Sequence, residues 1–214
     1  MIPTIVGPAG EAVTESIVCV EFIDELAKAA GGSAPSLLPG SPYDRANAKV
    51  AADNANKTVC SAYYQVLVRK DYNERREAFD KICNGLLEFT AGMKGDYWAG
   101  DHLGLVDCVI LPHAHRLYAV EHYRGEEFAV PKTGEGGLWE QWNEYIDRAR
   151  TNPTVKRTLP GHERYIKHVA KYADGNARSK VGNAVRRGGD AHSYDDVLDG
   201  DDGEAAKPVP QKRE

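Results

Sequence analysis

Along most of this chain apolar positions recur at intervals of three and four, the spacing of helices packed by one face; only the opening residues follow the shorter rhythm of strands. Ile2, Pro3, Thr4, Ile5 and Val6 make a short β-branched run. Gly7-Pro8-Ala9-Gly10 is turn chemistry and Ala12-Val13 is a second brief strand, so the start reads as a small hairpin. A two-stranded hairpin alone is marginal in water and needs neighbours. A helix then begins near Glu15-Ser16, with Ile17, Val20, Ile23 and Leu26 on one face and Val18 and Phe22 beside them, and Gly31-Gly32-Ser33 ends it. Residues 35–42, rich in proline, separate this start from a chain that is helical thereafter.

Four or five long helices are expected beyond that connector. The first runs from about Pro42 to Tyr72 and sets Ala55, Val59, Ala62, Val66 and Leu67 on one face. The second carries Phe79, Ile82, Leu86, Phe89 and Met93, spaced 3, 4, 3 and 4. The third starts after Gly100 with Leu105, Val106, Val109, Ile110, Ala114 and Leu117; Pro112 should kink it or remove a hydrogen bond. The fourth holds Trp139, Trp142, Tyr145, Ile146 and Ala149, and the fifth covers roughly 161–173. Short polar links favour an antiparallel bundle. From Asp174 the pattern fades, and a Gly- and Asp-rich stretch begins at Gly188-Gly189.

Composition narrows the class. The 214 residues are 42% hydrophobic and 28% charged, which fits a globular protein. The net charge of −5 sits in residues 190–214, where eight acidic groups face three basic ones. The remaining body is balanced, so nothing electrostatic calls for nucleic acid. No apolar run approaches a membrane span, and the N-terminus lacks the basic start and apolar stretch of an ordinary secretory signal. Cys19, Cys60, Cys83 and Cys108 have no Cys-x-x-Cys spacing, which argues against a zinc ribbon, an iron–sulfur site or a disulfide scaffold and for a reducing, cytoplasmic setting. These cysteines read as small packing groups within helices. His113 and His115, two apart on a helix, point in different directions, and no metal site is expected.

Four segments in order carry a resemblance. Ile2-Pro3, followed by Glu15-Ser16-Ile17-Val18-Cys19-Val20-Glu21-Phe22-Ile23-Asp24-Glu25, resembles the second half of a glutathione transferase thioredoxin-like domain. Leu37-Leu38-Pro39-Gly40-Ser41-Pro42-Tyr43-Asp44-Arg45-Ala46 is similar to the family's interdomain join. Gly100-Asp101-His102-Leu103-Gly104-Leu105-Val106-Asp107 resembles the start of its core helix, while Thr158-Leu159-Pro160 and Tyr172-Ala173-Asp174 resemble the end of the fungal omega-like branch. The resemblance implies a mostly α protein. Residues 1–34 would be the remnant of a thioredoxin-like α/β domain, 35–41 a linker, 42–187 an all-helical C-terminal bundle and 188–214 an acidic disordered tail.

The resemblance also implies a site. Ile2-Pro3 would be the cis-proline pair whose backbone meets glutathione. Ser16, at a helix start that gathers free N–H groups and positive dipole, would bind the γ-glutamyl carboxylate, and Glu15 the α-ammonium group. Tyr63 and Tyr64 would face the pocket of the second substrate, a small electrophile or thiol; packing against a neighbouring helix explains them equally. Ser16 as a simple helix cap is the plain alternative. Two departures stand out. The segment that carries the family's catalytic Cys, Ser or Tyr has no counterpart here, so no catalytic residue is assigned. The core-helix cap, usually Ser or Thr, is Gly104, which loses one side-chain bond of the capping box and weakens helix initiation by a few tenths of a kcal/mol. The implied activity is glutathione conjugation or glutathione-dependent thiol reduction, with glutathione as co-substrate and a homodimer as the usual assembly. The alternative is a non-catalytic scaffold or interaction module built on the same helical domain.

Overall fold

The structure is a computed structural model that describes residues 3–177 and 179–189. Ile2 and all but the first two residues of the expected tail lie outside the described residues. The architecture is mostly helical with one small two-stranded sheet among the described residues. Strands β1 (Thr4–Val6) and β2 (Ala12–Thr14) pair antiparallel in the expected hairpin, with Ile5 opposite Val13. The helices are α1 (Ser16–Ala29), α2 (Pro42–Ala55), α3 (Ser61–Val68), α4 (Tyr72–Ala91) and α5 (Leu105–Ala114). Then come α6 (Tyr118–Arg124), α7 (Leu138–Thr151), α8 (Pro153–Lys156), α9 (His162–Ala173) and α10 (Lys180–Arg186). The chain divides into two compact units, Met1–Asp53 with Gly92–Val109 and Asn54–Ala91 with Ile110–Glu214.

In the first unit one buried carboxylate organises the start of α5. Asp107 is fully buried; its Oδ2 accepts the Gly104 N–H at 2.8 Å and its Oδ1 the Trp98 N–H at 3.2 Å. That is the half of the capping box that survives without a side chain at residue 104. A different free donor of the first turn is met from a distance: the Leu37 carbonyl accepts the Leu105 N–H at 2.8 Å. A Cβ at Gly104 would lie 3.2 Å from that carbonyl oxygen, so glycine is what lets the connector approach. The connector is itself tied to α1, where Asp24 accepts the Ser36 hydroxyl at 3.0 Å and the Leu37 N–H at 3.2 Å. Burial opposes the charge on Asp24, yet bonds from Lys28, the Leu37 N–H and Ser36 outweigh it and hold the carboxyl below its usual range. At the start of α2 the Ser41 hydroxyl accepts the Asp44 N–H at 3.1 Å and donates to the Asp44 carboxylate at 2.6 Å. The apolar stripe of α1 is only partly covered: Cys19 is buried, whereas Val18, Ile23 and Leu26 are about half exposed.

The second unit holds the larger core. The expected long first helix is interrupted by a π-helical turn at Asn56–Cys60, yet Ala55, Val59, Ala62, Val66 and Leu67 are all buried as the periodicity requires. Gly85 of α4 faces this turn; a Cβ there would fall on Thr58 Oγ1 and 3.0 Å from Val59 Cγ2. Phe79, Ile82, Leu86 and Phe89 of α4 are buried, and Phe89 packs on Tyr145 of α7 with ring centroids 4.9 Å apart. Trp139 and Trp142 belong to the same core. α5 ends two residues beyond Pro112, and a tighter turn leads into α6. At the end of α6 the Arg124 guanidinium donates to the carbonyls of Val66, Leu67 and Ala173, closing the C-termini of α3 and α9 together. α10 was not signalled by periodicity; Ser179 caps it, and it buries Ala184 and Val185.

Candidate functional site

Each unit contains a place where chemistry-bearing groups collect. In the first unit the chain passes from β2 into α1 through Glu15, which adopts φ 73 and ψ 125. A positive φ at a residue other than glycine costs of order 1–3 kcal/mol and persists only where the surroundings impose it. The turn leaves Glu15 and Ser16 exposed at the helix start. The first intrahelical bond runs from the Cys19 N–H to the Glu15 carbonyl, so the N–H groups of residues 16–18 are available to an anion. No acidic side chain occupies the first turn, and neither Glu15 nor Ser16 supplies a side-chain cap. Among the described residues these two side chains have no hydrogen-bond or ion-pair partner. Pro3 is exposed just before β1.

In the second unit α3, α9 and the segment after α5 enclose a cavity of about 480 Å³. Tyr64, Tyr165 and Tyr172 present rings to it, and Arg116, Arg164 and His168 present basic groups. Leu159, Pro160 and Val169 complete much of the apolar wall. Of Tyr63 and Tyr64, Tyr64 lines this cavity. Tyr63 is buried behind, with its hydroxyl 2.8 Å from that of Tyr165 and its ring edge-on to Tyr64 at 5.3 Å. The Arg116 guanidinium lies 4.9 Å from the Tyr165 ring centroid. His168 is held below the usual histidine range by burial, then by Lys171, Arg116 and Arg164. Arg164 and His168 stand four apart on α9, as do Tyr165 and Val169. That helical spacing was visible in the sequence, but nothing in it distinguished a cavity wall from a solvated face.

The thiols do not supply a nucleophile. Burial pushes Cys60 up to about 12, and burial aided by nearby carboxylates pushes Cys83 and Cys108 up to about 11. Cys19 is buried with Sγ 3.5 Å from the Val13 carbonyl. Burial, then Tyr165, raises the Tyr63 phenol well above its ordinary value, so it stays protonated. Burial followed by Arg150, Arg116 and His162 lowers His115 to about 4. His113 packs its ring against Tyr63 and Tyr64, and His115 against Tyr118. Among the described residues no three His, Cys, Asp or Glu side chains are grouped to hold a metal. No helix there is long and apolar enough to cross a membrane.

No family model matches the chain. Curated sequences do. The chain is 35% identical over 164 residues to a protein described as probable glutathione S-transferase parC of Nicotiana tabacum, covering 75% of this chain and 68% of that one. It spans about two thirds of the length of such relatives, 65% of one from Oryza sativa and 67% of one from Zea mays. Among solved structures, glutathione transferase Omega 3C from Trametes versicolor superposes with a TM-score of 0.65 at 24% identity, over 84% of this chain and 72% of that one. A rice glutathione transferase crystallised with glutathione gives 0.65 at 20% identity, over 82% and 77%.

Proposed function

The chain belongs to the glutathione S-transferase family, and from that premise we propose that its first unit binds the γ-glutamyl end of glutathione while the cavity of its second unit receives the other substrate, a small electrophile or thiol. The observation that carries this reading is the helix start at Glu15-Ser16. A strained, exposed Glu and an exposed Ser stand at a run of free N–H groups, with no protein partner among the described residues. Such an end suits a carboxylate, and Ser16 adds a hydroxyl donor while Glu15 faces the adjacent ammonium. Pro3, with Ile2, would meet the cysteinyl backbone.

Within this reading the domains meet at the 35–41 linker, with 42–187 as the helical domain. Cys60, Cys83 and Cys108 are not the group that activates the glutathione thiol, because burial disfavours thiolate formation at each. In this reading the first unit supplies glutathione recognition for conjugation or thiol reduction. Its class is omega-like, on the strength of the Thr158-Leu159-Pro160 and Tyr172-Ala173-Asp174 segments. One observation favours a second, scaffolding reading: Val6, Val18, Ile23 and Leu26 of the first unit are each half or more exposed, apolar surface that another protein, a second copy included, could cover.

Calorimetric titration with glutathione tests the proposal. Binding in the millimolar range is expected, and Ser16→Ala should weaken it about tenfold, the equivalent of one hydrogen bond to a charged group. Absence of heat at millimolar glutathione overturns the reading. Unchanged binding by Ser16→Ala reduces Ser16 to a helix starter.

A further inference from the structure

We propose that the cavity of the second unit selects an aromatic carboxylate, with the ring among Tyr64, Tyr165 and Tyr172 and the carboxylate on Arg116 and Arg164. The inference rests on the reading that this cavity receives the second substrate and specifies its chemistry. At about 480 Å³ the space suits a one- or two-ring molecule. Among the described residues no aspartate or glutamate lines it, whereas two arginines and a histidine do.

Arg116 is the informative group. Elsewhere in this unit Arg76 pairs with Asp80 at 2.8 Å, Arg150 with Asp147 at 3.6 Å, and Arg124 and Arg186 donate to carbonyls, whereas Arg116 donates to the neutral Tyr165 hydroxyl. Arg116 is half-buried, its Nε is enclosed without a hydrogen-bond partner, and no carboxylate among the described residues pairs with it. A guanidinium withdrawn from water without a counter-ion is unfavourable, and a planar carboxylate from outside is the ligand its fork geometry matches. Its position over the Tyr165 ring keeps it beside the aromatic wall, so one molecule can satisfy both features. The depressed proton affinity of His168, caused in part by Lys171, Arg116 and Arg164, reports the same excess of positive potential.

The test compares 2-naphthoate with the neutral, similarly shaped 2-naphthamide, titrated into the full chain without glutathione. Naphthoate is expected to bind at least about tenfold more tightly, with its advantage shrinking as salt rises. Arg116→Met should remove that advantage while leaving naphthamide affinity unchanged. Arg164→Gln, at an exposed position that cannot disturb the core, should reduce it several-fold. Equal affinity for the two probes, or a preference unaltered in both variants, overturns the proposal. If both probes bind equally and shift the resonances of Tyr64 and Tyr172, anion selection fails while the substrate-cavity reading stands. If neither binds, both fail.

Discussion

Replacing Asp107 by alanine removes the acceptor for two buried backbone donors, Gly104 N–H at 2.8 Å and Trp98 N–H at 3.2 Å. Hydrogen bonds to an ionised partner contribute about 1.5–3 kcal/mol each, and stranding a buried N–H costs about 1–3 kcal/mol. Relief of a fully buried carboxylate offsets part of this loss, because a buried charge is expensive to keep. A net destabilisation of about 3 kcal/mol is expected. For a chain of this size 1 kcal/mol moves Tm by roughly 2–4 °C, so the variant should melt roughly 6–12 °C lower. Asp107→Asn, which retains one carbonyl acceptor, should fall about midway. The assay is thermal unfolding by circular dichroism, with hydrogen exchange at the amides of Trp98 and Gly104 as the local readout; both should lose protection. The companion variant Gly104→Ser separates two accounts of the helix start. If the missing cap side chain were the weakness, serine would stabilise by about 1 kcal/mol. The Leu37 carbonyl already holds the Leu105 N–H and lies 3.2 Å from where a Cβ would stand, so no gain or a loss is expected. An Asp107→Ala variant melting within about 2 °C of the parent, or a clear gain from Gly104→Ser, would refute this account of α5.

Arg124→Met should cost about 2–4 kcal/mol, since it strips the acceptors of Val66, Leu67 and Ala173 of their common donor, and Arg124→Lys should recover only part; urea unfolding measures both. His115, at about 4 when folded against 6.5 when free, is a histidine with a depressed value, so the unfolded chain takes up its proton first. Its contribution is complete above about 6.5, declines as pH falls and levels off below about 4. Urea midpoints of the parent and of His115→Gln should converge across that window.

Legibility in the sequence followed the range of the interactions. The hairpin, α1 and the buried faces of α3, α4 and α7 rest on local spacing, and Phe79, Ile82, Leu86 and Phe89 lie where the interval of three and four puts them. The π turn escaped notice because it adds one residue to a helix whose apolar face stays in register on both sides. α10 escaped because its seven residues are held by Ser179 and by Arg186 reaching the Ala177 carbonyl, contacts that leave no periodic trace. Glu15-Ser16 drew attention as a residue pair, yet its backbone strain is a property of the turn between β2 and α1 and not of either side chain.

Gly104 shows most directly where one-dimensional reading stops. As a letter it is a defective cap; in the fold it is the clearance through which a carbonyl from the distant connector reaches the helix. The cavity follows the same logic. Tyr64, Arg116 and His168 come from separate parts of the chain, and only their meeting leaves a half-buried guanidinium without a carboxylate among the described residues. Local pattern determines which face of a helix is buried. What that face encloses depends on which partner packs against it.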